Sequence, residues 1–251
     1  MTLRLKVMLV AIGLIIAALV AGVIVWRQLA TSSSSVSLGT AMTEFKQAAN
    51  GGVSGPPRPG VYTYSLRGNE CAGVLGVRLC RAFPSRARMI LTRKPGTITI
   101  EDDLSQDHLE TNRFTVHPDG LYLAWQRTRI VFGIAQDNAA ATVPATLALP
   151  AMLRVGLHWT QRFSAGGLPV VTTNQVTRQA TMLIGGSKVP VYEIDASSRT
   201  GGAHPGTETD ITWHSPGSGL DVRVIVHRRI GGAFPYTMDV DATLVSLKPL
   251  G

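Results

Sequence analysis

The stretch YTMDVDATL, from Tyr236 to Leu244, decides the fold class of this chain. Every second side chain in it is apolar, and the side chains between them are Thr or Asp. Successive side chains of a β-strand point to opposite faces, whereas an amphipathic helix repeats about every 3.6 residues. The stretch therefore predicts a strand with one buried face and one solvated face.

The same alternation recurs along the chain and predicts an all-β domain. It is clear in residues 62–66, 98–100, 121–125, 130–134 and 220–226. Gly185-Gly186-Ser187 separates two further runs and indicates a hairpin. We predict a single curved antiparallel sheet, a half-barrel or barrel of about 10–12 strands, over residues 61–251. Residues 139–153 are apolar but broken by prolines, and we interpret them as a loop or short helix across one face.

One N-terminal transmembrane helix is predicted before this domain. The residues from Val7 to Trp26 contain no charge, and a helix of that length is about 30 Å long, the thickness of the bilayer's hydrocarbon core. Arg4 and Lys6 precede it, so residues 1–6 are expected to form a cytoplasmic tail and the rest to be extracytoplasmic. The alternative is a cleaved signal peptide, which would export the same domain. We favour an uncleaved signal anchor in the cell membrane.

The anchor is followed by a predicted stalk. Residues 27–60 are rich in Ser, Gly and Pro, a composition that buries too little apolar surface to fold. We expect a flexible stalk that holds the domain close to the membrane.

Cys71 and Cys80 are the only cysteines of the chain, and we predict a disulfide between them. Disulfides persist outside the cytoplasm, which agrees with export. Two free buried thiols are the alternative, and a zinc site would need a second pair of ligands.

The formal net charge of the chain is +8, but the distribution of this charge does not indicate nucleic-acid binding. Residues 1–60 contain five Lys or Arg and one Glu, so half of the excess lies in the tail and stalk. The remainder is spread along the domain without the basic stripe and stacking aromatics of nucleic-acid-binding proteins. We expect no nucleic-acid partner.

Motifs that carry chemistry are missing from the sequence. It contains no nucleophile elbow, no phosphate-binding loop and no H-E-x-x-H zinc motif, and its six His are scattered. A metal site at His204 and His214 is disfavoured, because neither has a carboxylate at helical spacing. We therefore expect no enzyme, no cofactor, no metal and no catalytic residue. A hydrolase without a recognisable motif is the last-ranked alternative.

Three segments resemble one family of exported proteins. They are VGLHW at residues 155–159, GGSKVPVY at residues 185–192 and WHSPGSGLDVR at residues 213–223. They are similar to segments of bacterial β half-barrel proteins of the lipoprotein-carrier (LolA/LolB-like) superfamily, in an actinobacterial membrane-anchored branch. The resemblance implies a curved sheet around a hydrophobic cavity for acyl chains. The carriers are soluble or lipidated, whereas this chain has a predicted anchor, so it is expected to hold cargo and not to shuttle it.

The resemblance implies a ligand site in the concave face of the sheet. The predicted lining residues are Tyr62, Leu121, Leu123, Trp125, Phe132, Trp159, Trp213 and Val224. Each of them taken singly is also an ordinary core residue. The first hypothesis is a membrane-tethered extracytoplasmic module that binds a lipid or another apolar ligand. The alternative is a non-catalytic envelope assembly or scaffold protein that docks a protein partner.

Overall fold

The computed structural model of the chain describes residues 57–74 and 77–250. All regular elements of this part are β-strands. None of its segments is a helix long and apolar enough to cross a membrane. The predicted tail, the anchor from Val7 to Trp26 and the stalk up to residue 56 lie outside the described residues.

Thirteen strands follow one another along residues 57–74 and 77–250. They are β1 (Gly60–Val74), β2 (Val77–Ala82), β3 (Arg86–Lys94), β4 (Thr97–Ser105), β5 (His108–His117), β6 (Gly120–Phe132), β7 (Ile134–Pro150), β8 (His158–Ala165), β9 (Leu168–Ile184), β10 (Ser187–Thr200), β11 (Gly206–Ser215), β12 (Leu220–Ile230) and β13 (Tyr236–Leu244).

The strands form one antiparallel sheet that closes into a barrel of 12 strands. From β3 to β13 each strand pairs with the next one along the chain, as short connections favour. The ring closes because β13 also pairs with β1, in a register that sets Tyr64 opposite Leu244 and Ala72 opposite Tyr236. The predicted all-β fold with a single curved antiparallel sheet is confirmed, and the sheet is closed.

The strand β2 lies outside this ring. One edge of β1 pairs with β13, and the other edge is shared end to end by β3 and β2. β3 continues the ring to β4, whereas β2 pairs with β1 alone. The other edge of β2 therefore has no strand partner among residues 57–74 and 77–250.

Antiparallel pairing gives the barrel two distinct ends. The proximal end holds Gly60, where β1 begins, the turns that follow β3, β5, β7, β9 and β11, and the segment after β13. The distal end holds the turns that follow β1, β4, β6, β8, β10 and β12.

The local predictions for turns and strands are largely correct. Gly185 and Gly186 join β9 to β10 as a two-residue hairpin loop, with φ values of 54° and 83°. Both values lie in the left-handed region, where glycine has no steric penalty, and they match the tight turns that hairpins favour. Tyr62, Tyr64 and Leu66 are buried on alternate positions of β1, as their period of two predicts.

The interpretation of residues 139–153 as a loop or short helix was wrong, because β7 extends to Pro150. Proline is excluded from a strand only where its missing N–H is needed by a neighbour. Pro144 lies where the register between β6 and β7 shifts, between the pairs Trp125–Ala141 and Leu123–Thr146. On its other side, β7 pairs with β8 only at Thr142 and Val143, so Pro144 interrupts no regular ladder. The strand tolerates the proline in a bulge.

The hydrophobic core fills the barrel from its inward-facing positions. A larger cluster contains Ile98, Ile100, Leu121 and Leu149 and extends to Ile184 and Leu244 near the proximal end. A smaller cluster is built around Met238, Val226 and Leu66. Beyond it, toward the distal end, the inward-facing side chains become polar and charged.

Candidate functional site in the barrel interior

The predicted lining residues are divided between two packed clusters and the surface. Tyr62, Leu121, Leu123 and Trp213 belong to the larger cluster, and Trp159 packs against it. Val224 belongs to the smaller cluster, with Phe132 packed against that one. Trp125 belongs to neither and lies under the Arg113 guanidinium, 4.9 Å from its ring centroid. These residues therefore do not converge on one surface.

Arginine side chains cover two more of these aromatic rings. Arg81 lies 4.3 Å from the centroid of Phe132, and Arg223 lies 4.9 Å from that of Trp213. A guanidinium over a ring face is a cation–π contact, which stabilises both side chains. A ring face that an arginine covers is not open to an apolar ligand.

An apolar cavity of about 60 Å³ lies between β12, β13 and the first strands. Val224, Val226, Met238 and Val240 contribute to its wall, and Glu110 lies at one side. Of the eight predicted residues, Val224 alone lines it. Ligand pockets usually measure about 300–1,000 Å³, so this cavity is too small for an acyl chain.

Charged side chains form a network inside the distal half of the barrel, and His108 lies at its centre. The Nδ1 of His108 is 2.8 Å from Oε2 of Glu70, and its Nε2 is 3.1 Å from Oε1 of Glu110. Tyr236 donates its hydroxyl hydrogen to the same Oε2 of Glu70, at 2.6 Å. These side chains link β5 to the paired strands β1 and β13.

Arg228 extends the network to the opposite wall. This residue is 1% exposed, and its Nη1 donates to Oε1 of Glu110 at 2.7 Å. Its Nε donates to Glu208 on β11. Asp210 follows on the same inward face of β11, where its carboxyl group lies beside that of Glu208 and receives no hydrogen bond from an N–H or hydroxyl group of the described residues. A buried carboxyl without a donor is costly in its charged form.

The network reaches the surface through Arg81 of β2. Its Nε donates to Oε1 of Glu70 at 2.6 Å, and its Nη1 donates to Asp107 at 3.1 Å and to the carbonyl of Val131 at 2.7 Å. The side chain therefore connects β2 to the turn before β5 and to the end of β6. The guanidinium lies at the edge of β2 that has no strand partner in the described part of the chain.

The environment shifts the pKa values of these groups in opposite directions. Burial opposes the charge of Glu110, but Arg228 and His108 outweigh it and lower the pKa of Glu110 far below its usual range. Burial likewise opposes a charge on His108, but the carboxylates of Glu110 and Glu70 raise its pKa. Burial and the neighbouring Glu208 raise the pKa of Asp210 well above its usual range.

Arg228 and His108 face the carboxyl groups of Glu70, Glu110 and Glu208 in this interior, and Arg81 meets Glu70 at its edge. Burial also raises the pKa of Glu208, and Arg228 opposes that shift. Pairing of opposite charges is what makes such a cluster tolerable in a low-dielectric interior. Both ring nitrogens of His108 face carboxylates, so neither is left to activate a nucleophile.

A second buried pair lies near the proximal end. The Nδ1 of His214 is 2.7 Å from Oδ1 of Asp221, and both side chains are buried. Tyr64 donates to the backbone carbonyl of Asp221. A register shift at Trp213 and His214 sets this histidine directly opposite Asp221. Burial raises the pKa of Asp221, and His214 opposes that shift.

Neither polar site was predicted from the sequence, although part of the signal was present. Arg228 continues the apolar positions 220, 222, 224 and 226 of β12, and Glu70 continues the inward positions 62, 64 and 66 of β1. An ionisable residue on an apolar face needs a buried partner. The partners Glu110 and Tyr236 are far away in the chain from Arg228 and Glu70, whereas His214 and Asp221 lie in one hairpin and could have been recognised.

The predicted disulfide is confirmed. Cys71 of β1 and Cys80 of β2 are directly opposite each other and bonded. The bond fixes β2 to β1 close to Glu70 and Arg81. No group of three or more His, Cys, Asp or Glu in the described part of the chain is placed to hold a metal ion.

Comparisons with known proteins give no family. No family model matches the chain, and no curated protein matches its sequence. Among solved structures, the chain is similar to the hypothetical lipoprotein YmcC from Escherichia coli (K12), with 13% identity and a TM-score of 0.38. The match covers 77% of this chain and 87% of that chain. A likeness this low supports no argument on function, and membership of the lipoprotein-carrier superfamily stays a prediction.

Proposed function

We propose that this chain is a membrane-tethered, non-catalytic protein of the cell envelope that docks a protein partner on its barrel. The observation that carries the proposal is the position of β2. The ring of strands is closed, whereas β2 lies outside it, at the distal end, with one edge free of strand partners among the described residues. The predicted tether is connected to the opposite end, at Gly60. A partner would therefore meet the barrel on the side away from the membrane.

The surface around β2 suits an extended peptide. Val77 and Leu79 are 58% and 43% exposed, which is unusual for large apolar side chains. A cleft of about 400 Å³ adjoins Val77, with Arg78, Ala233 and Pro235 in its wall. An unpaired strand edge can accept a strand from another protein, because its free N–H and C=O groups remain available.

The disulfide makes this edge a rigid platform. A two-stranded hairpin alone is marginally stable, but the bond between Cys71 and Cys80 holds β2 in register with β1. Arg81 adds a bond to Glu70 of β1 and, on the other side of β2, a bond to Asp107. A preorganised surface loses less conformational entropy on binding and so binds more tightly.

Photo-crosslinking in native membranes tests the docking proposal. The full chain carries a photoreactive phenylalanine analogue at Leu79, and a matched chain carries it at Val171, which is exposed on β9. We expect one protein adduct of defined mass from Leu79 and none of that mass from Val171. The exposed substitution Val77→Asp should abolish that adduct. Equal adducts from both positions, or an adduct that Val77→Asp leaves unchanged, would contradict the proposal.

A lipid-binding module is the second candidate, and the pairing of β7 with β8 supports it. Only two residue pairs join these strands, Thr142–Ala165 and Val143–Ser164. Neighbouring pairs such as β6 and β7 share twelve. The larger apolar cluster lies behind this seam, so separation of the two strands would give an acyl chain access to residues such as Leu121 and Leu123.

A disulfide across the seam distinguishes this candidate from the first. Val143 and Ser164 are opposite each other with their side chains on the outer face, so the variant Val143→Cys/Ser164→Cys can be locked by oxidation. We expect a photoactivatable phospholipid in nanodiscs to label barrel peptides of the reduced full chain and not of the oxidised chain. Labelling confined to the segment from Val7 to Trp26 in both states would eliminate the lipid module.

The non-catalytic part of the proposal is supported by the chemistry of the buried groups. The carboxylates beside His108 occupy both of its nitrogens, and Arg228 is held by two carboxylates. Side chains whose polar atoms are bonded to one another in this way stabilise the fold, and these bonded atoms are not available to bind a substrate.

A further inference from the structure

The proximal end of the barrel is covered by three segments that pack on one another. Gly185, in the turn between β9 and β10, lies against the backbone of Val245 and Ser246. The segment after β13 is bonded to the first strand, by Val245 N–H to the carbonyl of Thr63 and by Leu250 N–H to that of Val61. The loop between β7 and β8 buries Ala151 and Leu153 in the same cluster as Ile184 and Tyr62.

The outer surface of this cover is unusually apolar. The fractional exposures are 69% for Leu183 at the hairpin tip, 60% for Met152 and 52% for Val155 in the loop, and 61% for Leu250 in the final segment. Most large apolar side chains of a soluble domain are buried, and a group of exposed ones at one end marks an interaction surface.

Cations alternate with these apolar residues. Lys188 is the cross-strand partner of Leu183, Arg154 lies between Met152 and Val155, and Lys248 precedes Leu250 by two residues. Arg58 is exposed where the chain enters the barrel. The segments 57–60, 151–157, 181–190 and 245–250 contain no Asp or Glu.

These cations differ from many arginines on the flank of the barrel. Within residues 57–74 and 77–250, none of Arg58, Arg154, Lys188 and Lys248 forms an ion pair. On the flank, by contrast, several arginines are paired with carboxylates. Those pairs are Arg88–Asp103, Arg127–Asp137, Arg178–Glu193, Arg223–Asp241 and Arg229–Asp239. The proximal end therefore presents net positive charge, because these four cations outnumber Asp119, the one exposed carboxylate in the described turns of this end, which accepts a hydrogen bond from Tyr122.

We propose that the proximal end docks on an anionic membrane surface, with Leu183, Met152 and Val155 inserted at the headgroup level and Arg154, Lys188 and Lys248 bound to lipid phosphates. Exposed apolar side chains between cations are the features by which proteins bind at the interface of anionic bilayers. The proposal rests on the proposed tether, because the chain enters the barrel at this end and the segment from Val7 to Trp26 would bring the bilayer within reach. Docking would fix the barrel upright, with β2 pointing away from the membrane.

Fluorescence quenching in nanodiscs tests the orientation. The described chain has no free cysteine, so the variants Leu183→Cys and Ala203→Cys each place one fluorophore on the full chain. Ala203 is exposed in the turn after β10, at the distal end. With spin-labelled lipid in discs containing about one-third anionic lipid, we expect the label at position 183 to be quenched several-fold more than the label at position 203.

Two triple variants of equal charge separate docking from general attraction. Arg154→Glu/Lys188→Glu/Lys248→Glu removes the proposed contacts, whereas Arg129→Glu/Arg162→Glu/Arg199→Glu changes three exposed arginines of the flank. Each cation near an anionic surface contributes roughly fivefold to binding, so loss of the first three should weaken docking by roughly 100-fold. We expect the preferential quenching to disappear in the first variant and at about 1 M salt, and to persist in the second.

Several results would overturn the proposal. Equal quenching of the two labels would mean that the barrel has no fixed orientation. Equal effects of the two triple variants would indicate attraction without a docking surface. If the label at position 183 is quenched equally in neutral and in anionic discs, the surface does not recognise anionic headgroups. If that label is not quenched at all, the surface does not bind the membrane and a protein partner is the remaining explanation of its exposed apolar residues.

The tether is tested separately, by extraction of the full chain with alkaline carbonate. Release of the chain would refute the tether and leave the docking surface open to test. In that case, co-sedimentation of the released chain with anionic vesicles replaces the nanodiscs. Binding that the proximal triple variant lowers by roughly 100-fold, and the flank variant does not, would support docking without a tether.

Discussion

Arg228 lies two residues beyond Val226 on β12, so its side chain points into the barrel from a strand that is otherwise apolar on that face. It separates the carboxylates of Glu110 and Glu208, which would otherwise repel each other in a medium of low dielectric constant. The side chain is therefore indispensable once its partners are present. Removing one partner of a buried ionic cluster leaves the other charges unpaired.

We predict that Arg228→Met lowers the free energy of unfolding by about 3–5 kcal/mol. Urea denaturation of the full chain in detergent micelles, followed by tryptophan fluorescence, measures the loss. The neighbouring Arg229→Met is the matched control. Arg229 is exposed and pairs with Asp239, so its loss should cost no more than about 1 kcal/mol. Similar losses in both variants would contradict a special role for Arg228.

The raised pKa of the buried Asp210 makes the stability of the fold depend on pH. Its pKa is raised in the folded state, so the proton that it holds contributes stability that is lost as the pH rises through that raised pKa. His108 acts in the same direction, because its pKa is also raised. We expect the free energy of unfolding to fall as the pH rises from the ordinary aspartate pKa of 3.8 toward the raised pKa of Asp210, and from 6.5 toward the raised pKa of His108.

The substitution Asp210→Asn tests this explanation. An amide of the same shape cannot lose a proton, so the variant should lose less stability than the original chain when the pH is raised from about 5 to about 9. Urea midpoints at the two pH values measure the difference. An unchanged pH dependence would show that Asp210 does not contribute to it.

These residues also show how far sequence reasoning extends at this scale. The inward direction of Arg228 and Glu70 follows from the period of two in β12 and β1, and could have been predicted. Their partners could not, since Arg228 meets Glu110 across 118 positions of the chain and Tyr236 meets Glu70 across 166. Such contacts depend on the closure of the sheet and not on local pattern.

At the scale of single elements, β2 depends on its disulfide. The closed loop from Cys71 to Cys80 is short, and chain-entropy arguments give such a bond about 2–3 kcal/mol. We predict that Cys71→Ser/Cys80→Ser lowers the free energy of unfolding by that amount and increases hydrogen exchange in β2 first. Exchange that rises equally in β12 would mean that the disulfide supports the whole ring.

The element β7 shows why a strand can be missed. Pro144 and Pro150 argued for a break, and each proline does lack a backbone donor. Whether a strand needs that donor depends on its neighbours, and at Pro144 the pairing with β6 shifts while the pairing with β8 ends. By contrast, the hairpin at Gly185-Gly186 could be predicted, because its glycines are required by the turn itself.

At the scale of the whole molecule, stability depends on the pairing of β13 with β1. A chain that ends after Pro235 would lose Tyr236, Met238, Val240 and Leu244 from the core and leave β12 and β1 with unpaired edges. We predict that this truncation yields no folded barrel, as judged by near-ultraviolet circular dichroism. A chain that ends after Lys248 keeps the whole of β13 and should fold, and folding of both chains would contradict the need for closure.

The prediction of an all-β fold came from periodicity, whereas closure of the ring did not. The alternation of apolar and polar residues indicates that one face of each strand is buried. A half-barrel, a barrel and a sandwich all have strands of this kind. The decisive contact joins residues 64–72 to residues 236–244. Nothing in either stretch specifies the other as its partner.

Pairing of the first strand with the last also determines when the protein can fold. β1 is synthesised long before β13. Until β13 is available, the edge of β1 that pairs with it has no strand partner. Contacts so distant in sequence form slowly, and unpaired edges exposed meanwhile favour aggregation. The barrel is therefore a fold that cannot be assembled during synthesis, and a cell that makes it has to protect the nascent chain until its final strand has arrived.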